Sequence, residues 1–139
     1  MANEVRIITL LGNKGDPVEY TIAAGAVIPK NSIMKISASP QTAALATADG
    51  DLIAGISSEE STATDTFTKM ALITHCIAEV YATAVTGSMV LGEPVKITGA
   101  NTVAPADDDT VEKKGEVLGR ANETVAAGAS GEVLINLGG

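Results

Sequence analysis

Few residues in this chain have the type and spacing that chemistry requires. His75 and Cys76 are adjacent, the order of a base beside a thiol nucleophile or of two zinc ligands. Neighbours on a strand project to opposite faces, so the pair does not converge on one site. No second His or Cys exists to complete a zinc set, and a half-buried histidine beside a core thiol is the reading that remains. Asp49 and Asp51 alternate as calcium-loop ligands do, and Asp107, Asp108 and Asp109 form an acidic run. A calcium loop needs further oxygens and a closing Glu at a fixed distance, so these segments read as a tight turn and a solvated loop. Gly12 and Gly15 bracket a Gly-x-x-Gly without the Lys-Ser/Thr or the helix of a phosphate loop. No nucleophile with its base, no paired acid and base and no cofactor loop emerges. The chain is therefore read as non-enzymatic, with no catalytic, cofactor-binding or metal-binding residue assigned. The enzymatic alternative is a small hydrolase whose carboxylates come together only in the fold.

Composition narrows the class. The 139 residues fit one domain able to bury a core without staples. There is no Trp, one Phe (Phe67) and two Tyr (Tyr20 and Tyr81), so Ala, Val, Ile and Leu do nearly all the packing. Small aliphatic side chains bury little area each, which favours extra burial against a partner and hence a homo-oligomer, with a trimer favoured. The net charge of −8, with nine Lys and Arg spread along the chain, argues against nucleic acid and against an anionic membrane surface. A single cysteine excludes an intrachain disulfide framework. No apolar run has the length of a signal peptide or membrane span, so synthesis and retention in a cytosol are expected.

The elements that must position any site read as strands. Val5–Leu11 and Val18–Ile22 flank the turn cluster Gly12–Pro17 and predict a hairpin. Ile33–Ser37, Leu52–Ile56, Val95–Thr98, Glu116–Gly119 and Glu132–Leu137 are short apolar or alternating runs between Gly, Pro and Asp turns. Thr68–Val85 is the longest such tract and reads as two strands joined near Thr74 and His75, or one long bent strand. The Thr-rich Glu59–Thr68 segment reads as a connection.

Signals in the Met34–Lys69 stretch recur in order near the C-terminus. Met34-Lys35-Ile36-Ser37 returns as Val95-Lys96-Ile97-Thr98, and Gly55-Ile56-Ser57-Ser58-Glu59 as Gly119-Arg120-Ala121-Asn122-Glu123. Lys69-Met70-Ala71-Leu72 returns as Glu132-Val133-Leu134-Ile135, each at an offset of about 60 residues. The expectation is an all-β protein, a small β-sandwich or barrel of two similar halves with a possible N-terminal strand or arm. Within this single domain, residues 1–22 form a hairpin or arm, 23–86 the first half and 87–139 the second.

The segments Thr21–Gly25, Ile28–Ile36, Ala46–Ala48 and Ile53–Ile56 resemble the phage capsid cement or head decoration proteins. Val117–Ala121, Ala126–Gly128 and Glu132–Leu137 match the second half of that pattern. The chain departs from it in the Ser/Thr tract after Glu59 and in the Asp107–Asp109 insert. The resemblance implies a structural protein on the outer surface of an icosahedral capsid, made in the host cytoplasm and bound to the major capsid protein. The alternative is a β-sandwich binding module such as a head fibre base or a carbohydrate-binding domain, although three aromatic residues leave little for a sugar platform. Ala2–Leu11 lies outside both the resemblance and the repeat, and Val5, Ile7, Ile8 and Leu10 make it apolar and β-capable. These four residues are the candidates for capsid contact by strand addition, the alternative being an ordinary hairpin strand.

Overall fold

The computed structural model describes residues 5–10, 18–38, 40–48, 51–82, 88–106 and 117–137. Its regular elements are β1 (Arg6–Leu10), β2 (Val18–Thr21), β3 (Ile33–Ala38), β4 (Thr42–Leu45), β5 (Ile53–Ser57), β6 (Lys69–Ile73), β7 (His75–Ala82), β8 (Pro94–Gly99), β9 (Thr102–Pro105), β10 (Val117–Ala121) and β11 (Ser130–Asn136). The all-β expectation holds, and two similar units each close into a barrel, though not at the expected bounds of 23–86 and 87–139: β2 belongs to the first barrel and β7 to the second. The first has strand order β2-β4-β3-β5-β6. The second, β7-β9-β8-β10-β11, repeats it strand for strand and carries β1 as an addition on β7. The long tract is two strands, and it joins the barrels: β6 completes the first and β7 begins the second, with only Thr74 between them.

The repetition extends to single hydrogen bonds. An isolated bridge of Ile28 with Ser61 recurs as Met89 with Val125. The β3–β4 and β8–β9 turns each place a side-chain-bearing residue in the left-handed region, Gln41 at φ 48° and Asn101 at φ 55°. In the same place on each barrel one strand yields a bulge, between Ile36 and Ala38 in β3 and between Ile97 and Gly99 in β8. Bulges bend a strand and increase its twist, and a small barrel needs such corners to close.

Burial follows from this geometry. In β7, buried and half-buried residues alternate, because one face lines the barrel and the other is partly open. All five residues of β5 are buried. Ala54 belongs to the core of its own barrel with Ile22, Met34, Met70 and Leu72. Ile53 and Ile56 join Ile33 and Ile73 in a cluster continuous with the second barrel's core of Cys76, Val80, Val95, Ile97, Leu118 and Ile135. The outer face of the first barrel is thus the seam between the two. A backbone contact crosses it, the Ile33 N–H donating to Asn101 Oδ1 at 2.9 Å.

The expected hairpin between Val5–Leu11 and Val18–Ile22 does not form. β2 is occupied along one edge by β6, from Val18 opposite Leu72 to Thr21 opposite Lys69, and meets β4 at Thr21 on the other. The eight-residue β7 is longer than its neighbour β9, which reaches only Tyr81 and Ala82. The vacant Cys76–Glu79 edge takes β1, with Arg6 opposite Glu79 and Leu10 opposite Cys76. Leaving that edge unpaired would expose a row of backbone donors and acceptors.

Gly119 marks a close approach of β10 to β11. A Cβ there would collide with the Leu134 carbonyl oxygen of β11, and at Gly55 a Cβ would lie 2.9 Å from Leu72 Cβ. Gly119→Ala is expected to destabilise the protein by about 3 kcal/mol, since backbone cannot move aside as a flexible side chain does. Urea unfolding checks this, and an unchanged midpoint would show that β10 and β11 have room to separate.

Candidate functional site

The residues singled out for chemistry are not brought together. Cys76 points into the second barrel and is fully buried, and burial pushes its thiol up to about 11. His75 is half-buried on the opposite face of β7, as strand alternation requires, and its Nδ1 has no hydrogen-bond partner among the described residues. Asp51 has a structural use. Its Oδ2 accepts the N–H groups of Thr47 and Ala48, both at 2.9 Å, and Lys35 Nζ lies 3.7 Å from Oδ1. Burial raises the carboxyl, but these hydrogen bonds and the lysine outweigh it and hold it below its ordinary value. Asp49, Gly12, Gly15 and Asp107–Asp109 lie outside the described residues. Among those described, no three His, Cys, Asp or Glu side chains stand close enough to hold a metal ion.

Of the four contact candidates, Val5 precedes β1 and Ile7, Ile8 and Leu10 lie on it. Val5 is buried in the central cluster and Ile7 packs against it. Ile8 is 40% exposed on the outer side. Leu10 sits opposite Cys76 in the ladder. Arg6 fixes the strand from outside, its Nη2 lying 3.0 Å from Glu79 Oε1. Both side chains are well exposed, so the pair orients β1 more than it stabilises it.

What the surface offers is docking area. On the outer face of the second barrel a shallow groove of about 380 Å³ runs between Pro94, Val117, Arg120, Leu134 and Asn136, floored by Gly119. Val90 and Leu91, 49% and 62% exposed, precede Gly92 at its edge. On the first barrel a second hollow of about 320 Å³ lies among Glu19, Thr21, Pro40, Gln41 and Lys69. Among the described residues neither lining sets a nucleophile against a base. Sequence reasoning passed over both. The signal was present in the repeat, where Pro94 and Arg120 occupy the places of Ile33 and Ile56.

The architecture defines an all-β protein of tandem five-stranded barrels. The crystal structure of the head fiber gp8.5 N base of bacteriophage phi29 shares this fold: the TM-score is 0.54, the sequences are 13% identical, and the match covers 87% of this chain and 95% of that one. No family model matches the sequence, and no curated protein does.

A protein whose only thiol is this deeply placed should resist alkylation at neutral pH until it unfolds. The neutral thiol adds stability that is complete below about pH 9, its ordinary range, and is lost as pH climbs toward about 11. Thiol labelling with and without denaturant, and melting curves from neutral to alkaline pH, check both points. Rapid native labelling would place the sulfur at the surface.

Proposed function

We propose that this protein is a structural component of a phage virion, seated on the outside of the head in the manner of a fibre base and working by surface contact without catalysis. The observation that carries the reading is the shared two-barrel fold, spanning nearly the whole of both chains, with a protein described as a head fiber base. The cement-like segments around Ile28–Ile36 and Val117–Ala121 support the same location. The fibre-base reading is preferred to simple cementing because the fold likeness covers both barrels. The partner is the major capsid protein, and the acidic charge of −8 disfavours nucleic acid and membrane as alternatives. The protein is made in the host cytoplasm and carried on the outer capsid surface. It is proposed to act as a homo-oligomer, with a trimer favoured, since its aliphatic core gains from burial between subunits. Cryo-electron microscopy of the purified protein mixed with undecorated phage heads tests the reading. Added density on the outer shell is expected, and bare heads at saturating protein would overturn it.

Among the contact candidates, Ile8 has an outward position that suits a contact with the head. Deleting the N-terminal segment would also remove Val5 from the core, so a point substitution separates the roles. Ile8→Glu is expected to leave the melting temperature unchanged and to weaken head binding about tenfold. Undiminished binding in a co-sedimentation assay would confine β1 to a structural part.

A further inference from the structure

The seam inside the chain has a counterpart in the exposed groove. In the first barrel, Ile33, Ile56 and Ile73 lie side by side across β3, β5 and β6, with Ile33 opposite Ile56 and Ile56 opposite Ile73. They are 0%, 0% and 8% exposed, because the second barrel covers them. The second barrel repeats this row in register as Pro94, Arg120 and Leu134, with Pro94 opposite Arg120 and Arg120 opposite Leu134. Lys35 opposite Ile53 likewise recurs as Lys96 opposite Val117. Among the described residues nothing covers this row: Pro94 and Arg120 are exposed, Leu134 is half-buried, and the three line the groove.

The complementary surface is repeated too. Within the chain, the first barrel's row is met by Asn101 at the β8–β9 turn of the second. Its counterpart on the first barrel is Gln41, also left-handed, exposed, and set in the hollow with Glu19 and Lys69. Gln41 Nε2 donates to the Glu19 carbonyl at 2.6 Å, which leaves Oε1 to accept from a partner. We infer that the groove of one copy receives the Gln41 turn of a second copy, so that the contact joining the two barrels within a chain is made again between chains.

One substitution adapts the repeated contact to a surface that must also meet water. Pro94 has no N–H with which to repeat the donation of Ile33. Arg120, in the place of Ile56, supplies guanidinium donors for Gln41 Oε1 and a charge for the Glu19 carboxylate. Arg120 has no ion pair among the described residues. A contact of this kind is heterologous, groove to turn, and closes as a ring when its rotation permits. Three chains then give a ring of alternating first and second barrels. This deepens the oligomeric part of the function proposed above and does not depend on attachment to a head, so it is tested without heads.

The test uses two variants that each spoil one side. Arg120→Glu spoils the groove and leaves the turn intact. Gln41→Arg spoils the turn and leaves the groove intact. Light scattering of the purified full chain is expected to find an oligomer for the wild type and a monomer for each variant, with melting temperatures unchanged. An equimolar mixture of the two is expected to reassociate to a dimer or larger, through the one unaltered pair of surfaces and through the charge-reversed pair. A monomeric wild type would overturn both the oligomer and these surfaces. A wild-type oligomer that survives either substitution, or a mixture that stays monomeric, would overturn the surfaces and leave the oligomer standing. A chain carrying both Arg120→Cys and Gln41→Cys avoids charge reversal, and buried Cys76 does not compete. Covalent dimers and higher species are expected on mild oxidation, and their absence would overturn the pairing.

Discussion

Closure is the constraint on which the rest of this molecule depends. A sheet of five short strands returns to its starting strand only through parallel contact, Thr21 beside Thr42 in the first barrel and Tyr81 and Ala82 beside Thr102 and Val103 in the second. Reaching that contact requires bulges at fixed places and strands that approach so closely at Gly55 and Gly119 that a side chain does not fit. The interior left over is narrow. It is filled by Ile, Val, Leu, Met and Ala, which gives a physical reason for a chain with so few aromatic rings.

A barrel of this size has a second difficulty, since its outer surface is large relative to its core. The chain meets it by using the outside of one barrel as a wall for the other. Ile33, Ile53, Ile56 and Ile73 add their area to the second barrel's core, and fully burying an isoleucine contributes about 1.5–3 kcal/mol. At the crossing the Ile33 amide is satisfied by Asn101. β1 contributes in the same sense by sealing the edge of β7 that β9 is too short to reach.

Much of this was legible in the residues. The recurrence of Lys35-Ile36 as Lys96-Ile97, and of Gly55 as Gly119, marks equivalent strands because those positions carry bulges and close approaches that tolerate few alternatives. The first strand of each barrel was not legible as a repeat: Val18–Thr21 and His75–Ala82 have the same partners but differ in length and share almost no residues. The placing of β1 was missed for a related reason. Turn residues between two β-capable runs predict a hairpin from local chemistry, whereas the true partner depends on which distant edge is left vacant. At the surface, Asp51 announced a turn correctly, while the groove around Arg120 became visible only when its row was compared with the isoleucines it replaces.

Thr74 alone separates the last strand of the first barrel from the first strand of the second. It is buried, and its carbonyl accepts the N–H of Leu137 at 2.9 Å. A joint this short and this tightly held has no slack to act as a hinge. The barrels therefore behave as neighbouring units of a solenoid do, each carrying an intrinsic stability and a shared interfacial term. Melting the first barrel would strip cover from the second's core, and melting the second would leave a row of isoleucines in water. The energetic unit of this chain is thus the pair, and its cooperativity resides in the seam.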